Sequence, residues 1–91
     1  MALVVMLPFD TVRRIIERAE SNVPPDPEIA DVLPALKKQT TRETPMISGH
    51  YQIALEPDRW GVLIGWCYMV RLHEDADLIT GAVAIASALD E

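Results

Sequence analysis

The sequence predicts an all-α domain of four or five short helices, closed by a C-terminal helical hairpin at residues 58–72 and 75–90. Three observations favour this fold class. Residues 9–20 place apolar and charged side chains with the period of an amphipathic helix. Thr44-Pro45 sets a capping residue before a proline, as helix starts do. The apolar run at residues 60–72 is long for a strand in a single domain of 91 residues.

The first half of the chain begins with an apolar segment, residues 1–7, which predicts either a short strand or a helical lead-in. Pro8 separates this segment from the next one. An amphipathic helix is then expected from an N-cap at Asp10 to about Ser21. Residues 22–25 (Asn-Val-Pro-Pro) predict a stiff connector.

A second helix is expected to start at Asp26-Pro27, with Asp26 as its cap. Pro34 falls inside the apolar stripe of this segment. Because an internal proline disrupts helical hydrogen bonding, a kink or two short helices meeting at Leu33-Pro34 is expected.

Residues 44–56 and 60–72 each fit two interpretations. The first segment matches the helical period, but Tyr51, Ile53 and Leu55 would also line one face of a strand. We favour helices for both. The alternative is an α+β fold with a hairpin at 50–55/60–72 and residues 1–7 as a third strand.

The last helix is expected to begin at Asp75 or Asp77 and to pack against the 58–72 helix, because the corner between them is short. Gly61 and Gly65 would form a notch on one helix. A strip of small residues on the other helix would fit it: Gly81, Ala84 and Ala88.

The net charge of −6 is unevenly distributed. Residues 1–45 carry six basic and seven acidic side chains, and residues 46–91 carry two and seven, so the charges are −1 and −5. Nucleic-acid binding needs clustered basic side chains, so direct binding is not expected. An acidic domain suits a basic protein surface. Because apolar residues make up 49% of the chain, apolar surface is expected to remain for a partner, and a homodimer is one such arrangement.

Cys67 is the only cysteine and lies in an apolar run. It cannot form an internal disulfide, so a cytoplasmic protein with a buried thiol is expected. No apolar run is long enough to span a bilayer. His50 and His73 are the available bases for Cys67, but apolar surroundings disfavour the thiolate that catalysis needs. We expect no enzymatic activity.

The acidic corner after residue 72 holds His73, Glu74, Asp75 and Asp77. It lacks the ligand sets of zinc and calcium sites. Glu56 and Asp58 flank Pro57, where a helix cap and its neighbour are expected instead of a carboxylate pair. The sequence thus predicts helix capping at both corners, and neither a metal nor a cofactor.

Trp60, Trp66 and Tyr68 are the candidate interface residues, because aromatic side chains are enriched at binding hot spots. On a helix the two tryptophans lie about 120° apart, so one of them is expected to reach a surface. The predicted function is a non-enzymatic protein–protein interaction or regulatory module, in one version an acidic inhibitor or immunity-type protein that covers a basic partner surface. The alternative is a helical domain that binds an apolar ligand near Trp60 and Trp66.

Overall fold

The computed structural model describes residues 1–22 and 26–90 as an α+β fold, in which a two-stranded antiparallel sheet packs with four helices. The strands are β1 (Leu3–Pro8) and β2 (His50–Leu55), and the helices are α1 (Phe9–Glu20), α2 (Val32–Gln39), α3 (Pro57–Met69) and α4 (His73–Asp90). The all-α prediction is therefore wrong, and the α+β alternative is right as a class. Residues 23–25 of the predicted connector lie outside the described part of the chain.

Strand β1 pairs with β2 in a register that sets Leu3 opposite Leu55 and Leu7 opposite Tyr51. Its odd-numbered residues are buried in the core, whereas Val4 and Met6 are exposed on the other face. Both faces of the strand are apolar, so the alternation of a strand is invisible in the sequence. Only the pairing with β2 distinguishes a strand from a helical lead-in here.

Strand β2 replaces the helix predicted at residues 44–56. A two-residue turn precedes it: Ser48 and Gly49 have φ values of 52° and 76°, and Ile47 and His50 exchange two backbone hydrogen bonds of 2.9 and 3.0 Å. Two consecutive positive φ values are typical of a type I′ hairpin turn. This turn ends any helix through the segment, so the alternation of Tyr51, Ile53 and Leu55 prevails, and all three side chains are buried.

The helix predicted at residues 58–72 is confirmed as α3, and the 60–72 strand of the alternative interpretation is wrong. Pro57 is the first residue of α3, where its missing N–H costs no helical hydrogen bond. Trp60, one turn in, donates its indole N–H to the Leu3 carbonyl at 2.9 Å. This bond ties α3 to β1, so the most apolar helix is anchored under the sheet.

Helix α1 is confirmed almost as predicted, although its N-cap is Pro8 and not Asp10. The second helix is shorter than expected, because turns occupy residues 27–31 and α2 begins only at Val32. Pro34 therefore lies in the first turn, where a backbone N–H has no helical acceptor. A proline at this position does not interrupt the helix, so α2 accommodates Pro34 without the predicted kink.

Helices α3 and α4 are in contact, as the predicted hairpin requires. The predicted fit of small residues between them is wrong. Gly61, Gly65 and Gly81 are exposed, as are Ala84 and Ala88, and a Cβ added at any of the three glycines would meet no atom outside its own helix within 4 Å. The buried residues of α4 are instead in its first two turns, Asp75, Ala76 and Ile79.

Candidate interaction surface

An apolar groove of about 680 Å³ runs between strand β1 and the C-terminal half of α4. We call it the β1–α4 groove. Three segments line it: Ala2, Leu3, Val4 and Met6 around β1, Ile47, Ser48 and His50 at the turn into β2, and Ala82, Ile85, Ala86 and Leu89 from α4. None of these side chains carries a fixed charge, and only Ser48 and His50 are polar.

The outer face of the sheet supplies one wall of the groove. Val4 is 53% exposed and Met6 is 40% exposed, although their neighbours along the strand are buried in the core. A strand that places valine and methionine on its solvent face is unusual, because one-sided sheets normally turn polar residues outward. The pattern indicates a face that is suited to contact with another apolar surface.

Helix α4 supplies the other wall. Residues 78–89 include no charged side chain, yet Ile85 is 65% exposed and Leu89 is 83% exposed. A helix on a protein surface usually carries charged residues on its outer side. After Ile79 the helix is only partly buried, through Ala82, Val83 and Ala86, and its solvent side lacks the charged residues that such a face usually carries.

The two tryptophans predicted as interface residues lie in the core. Trp60 is 0% exposed and Trp66 is 2% exposed. The Trp66 indole N–H donates to the Asp26 carboxylate at 3.1 Å, which also accepts from the Asn22 side chain at 3.3 Å. Asp26 was predicted as a helix cap, but it is here an anchor for Trp66. Neither indole ring lies on a surface that a partner would meet.

Tyr68, the third predicted interface residue, is 43% exposed. Its hydroxyl donates a hydrogen bond to the Asp77 carboxylate, and this bond raises the pKa of Tyr68. The ring also lies against His73, with centroids 5.8 Å apart. Tyr68 does not line the β1–α4 groove, so the structure brings no two of the three predicted residues together on one surface.

The sequence pattern that could have located the surface is the uncharged stretch at residues 78–89. Its apolar residues do not form one buried face, because only Ile79 among them is fully buried. Val4 and Met6 had no comparable signal, because the apolar segment at residues 1–7 looks the same on both faces.

Cys67 is fully buried, and burial raises the pKa of its thiol to about 12. A thiol with this pKa is protonated at neutral pH and is a poor nucleophile. Among the described residues, no histidine side chain forms a hydrogen bond with its sulfur. This environment is that of a core residue.

The acidic corner at the start of α4 is organised by an ion pair. Asp75, 4% exposed, accepts two hydrogen bonds from Arg14 of α1, at 2.7 and 3.0 Å. The bond to Asp75 raises the pKa of Arg14. In the part of the chain that the structure describes, no three His, Cys, Asp or Glu residues are grouped as metal ligands would be. Glu56, of the other predicted corner, lies 3.0 Å from the amino group of Met1.

None of the helices in residues 1–22 and 26–90 combines the length and apolar character needed to cross a membrane. Comparison of the chain with protein-family models, with curated proteins and with solved structures found no match.

Proposed function

We propose that this chain is a non-enzymatic protein–protein interaction module that contacts its partner through the β1–α4 groove and the exposed side of α4. The observation that carries the proposal is the uncharged stretch at residues 78–89, in which Ile85 and Leu89 are largely exposed to solvent. Contiguous apolar surface of this kind is typical of interaction sites.

The size of the patch supports this proposal. From their exposed fractions, Val4, Met6, Ile47, Ile85 and Leu89 together present roughly 500 Å² of apolar surface, near the upper end for the largest patch on a typical monomer. Covering that area would contribute on the order of 10 kcal/mol before the costs of association are subtracted. A specific complex is therefore energetically feasible.

The charge pattern suggests the kind of foreign partner. Residues 46–91 carry −5, whereas the side chains that line the groove carry no charge. A basic protein surface with an apolar middle would complement both features. We propose an acidic, cytoplasmic inhibitor or immunity-type protein as the specific form of this function.

Site-specific photo-crosslinking in the native host tests the proposal. A photoreactive amino acid is placed at Ile85 in the groove and, as the matched control, at Arg13 on the exposed side of α1. We expect protein adducts from position 85 and few from position 13, with mass spectrometry giving the identity of each adduct. Equal yields at the two positions would refute the groove as a contact surface.

The volume of the groove supports a second candidate function, the binding of an apolar small molecule, because small-molecule sites occupy about 300–1,000 Å³. The site for such a ligand is the groove and not the tryptophan pair, since neither indole lines it. Titration with a medium-chain fatty acid, followed by amide NMR shifts, should then move the signals of Val4 and Ile85. Unchanged spectra at millimolar ligand would rule out this fatty-acid class.

A further inference from the structure

The two edges of the small sheet are treated differently. On the outer edge of β2, the Gln39 side chain accepts a hydrogen bond from the Ala54 N–H at 2.7 Å and donates one to the Ala54 carbonyl at 2.9 Å. On the same edge, the backbone N–H and C=O groups of His50 form hydrogen bonds with the backbone of Ile47. A side-chain clamp and a turn thus block this edge against another strand.

Within the described part of the chain, the outer edge of β1 carries no comparable hydrogen-bonded clamp, although α4 packs against this strand. In an antiparallel pair, directly opposed residues alternate between bonding each other and pointing their backbone groups outward. The backbone groups of Ala54 bond Gln39 on the outer edge of β2. The backbone N–H and C=O groups of Val4, opposite Ala54, therefore point to the outer edge of β1, and so do those of Met6, opposite Gln52. Among the described residues, no hydrogen bond to the backbone groups of Val4 or Met6 is present on that side.

We infer that a second copy of this chain pairs with β1 along this open edge. Two β1 strands would run antiparallel about a two-fold axis at Val5, so that Val4 of each copy lies opposite Met6 of the other. Four backbone hydrogen bonds form, and the two sheets become one sheet of four strands, β2-β1-β1-β2. This inference rests on the proposed interaction surface and names its occupant.

The lack of charge at this surface permits a second copy as its occupant. Two chains of net charge −6 repel each other, so they associate best where neither carries charge. Residues 2–9 are uncharged, and so are residues 78–89. Because β1 carries no charged side chain, this pairing places no two like charges of the strands opposite each other.

Shape and area point the same way. A strand edge that pairs about a two-fold axis is complementary to itself, as an isologous interface must be. A stable dimer buries about 800 Å² on each partner. The exposed side chains beside the β1 edge, Val4, Met6, Ile85 and Leu89, offer roughly 400 Å² towards this area, and the strand backbone adds to it.

The test is sedimentation equilibrium of the full chain from about 1 to 200 μM, using proline variants that remove one backbone N–H. Met6→Pro removes an N–H on the open edge and leaves the bonds between β1 and β2 intact. Gln52→Pro, directly opposite, removes an N–H on the other edge and is the matched control. Met6→Ala separates loss of the side chain from loss of the N–H, and Ile85→Lys tests the α4 wall.

We expect a dimer for the wild type and for Gln52→Pro, and a dissociation constant at least about tenfold higher for Met6→Pro than for Met6→Ala. A wild-type chain that is monomeric at 200 μM overturns strand pairing, while a foreign adduct from position 85 keeps the interaction surface. A dimer that resists Met6→Pro but is lost with Ile85→Lys likewise overturns strand pairing alone. A dimer that resists both variants overturns strand pairing and the groove as its contact surface.

If Met6→Pro does not fold, hydrogen exchange of the wild type decides the question. Pairing at the β1 edge makes protection of the Val4 and Met6 amides increase with protein concentration, whereas the Gln52 amide is unaffected. Exchange at Val4 and Met6 that is independent of concentration overturns the pairing.

Discussion

Trp60 and Trp66 both bury their indole rings and both satisfy the indole N–H inside the fold. A buried indole without an acceptor would cost about 1–3 kcal/mol, so the Leu3 carbonyl and the Asp26 carboxylate are what allow two tryptophans in one small core. Neither acceptor is near its tryptophan in the sequence. The burial of both rings is therefore a consequence of long-range contacts.

Cys67 leads to a pH prediction. The thiol pKa is about 12 in the folded protein against a usual value of 9.0, so the native state holds its proton more tightly than the unfolded state. The contribution of this residue to stability is complete below pH 9 and decreases as the pH rises towards 12. Urea unfolding at pH 8, 9.5 and 10.5 should show a steeper loss for the wild type than for Cys67→Ala, by up to about 1.4 kcal/mol per pH unit.

The control for this experiment is alkylation of the native thiol. Iodoacetamide at pH 8 should modify Cys67 only at the rate of unfolding, because the side chain is fully buried. Identical pH profiles for the wild type and Cys67→Ala, or rapid alkylation of the native protein, would contradict the burial of this thiol.

At the scale of single elements, the glycines distinguish turn from helix. Gly49 has φ +76°, a backbone conformation that is strained for residues with a side chain. Gly61 is an exposed helical residue with open space beside it. Gly49→Ala should lower the free energy of unfolding by about 1–2 kcal/mol, and Gly61→Ala should raise it by about 0.5–1 kcal/mol. Urea denaturation measures both. If Gly61→Ala lowered the free energy of unfolding instead, the result would support the notch predicted between α3 and α4.

The Gln39 clamp on β2 makes a second prediction at this scale. Gln39→Ala removes both side-chain bonds to the Ala54 backbone, so we expect a loss of about 1–2 kcal/mol in unfolding free energy. Amide exchange at Ala54 should accelerate, while exchange at Ile53, which pairs with β1, changes only in proportion to global stability. Gln39→Glu keeps an acceptor for the Ala54 N–H but turns a carboxylate oxygen towards the Ala54 carbonyl, so it should be at least as destabilising as Gln39→Ala.

At the scale of the whole molecule, the Arg14–Asp75 ion pair joins the first helix to the last. The two partners are not equivalent, because the Asp75 side chain is 5% exposed and the Arg14 side chain is 53% exposed. Arg14→Met would leave a buried carboxylate unpaired and should cost about 2–4 kcal/mol. Asp75→Asn leaves a guanidinium that reaches water and should cost about 1 kcal/mol. Thermal or urea unfolding of the two variants measures the difference.

A double variant, Arg14→Met with Asp75→Leu, serves as the control for that prediction. It replaces the pair by apolar groups and should recover most of the loss seen in Arg14→Met, because no charge is then left buried. Equal losses from Arg14→Met and Asp75→Asn would show that Asp75 reaches solvent.

Several elements of this fold depend only on residues that are close together in the chain, so the sequence by itself determined these elements. The amphipathic period of α1, the helical character of α3 and its hairpin with α4 were all predictable, since each depends on residues close together in the chain. The burial of Cys67 followed in the same way from its apolar neighbours. The Ser48-Gly49 pair, which forms the two-residue turn before β2, was a further local signal.

Tertiary structure alone decided the sheet and the interaction surface. Residues 3–8 and 50–55 become strands only by bonding each other across more than forty residues, and no local pattern encodes a partner that distant. Long-range contacts also hold Trp60 and Trp66 inside the core, while Val4, Met6, Ile85 and Leu89 are left outside. Apolar side chains look alike in a sequence, and only the packing of the whole chain determines which of them remain exposed.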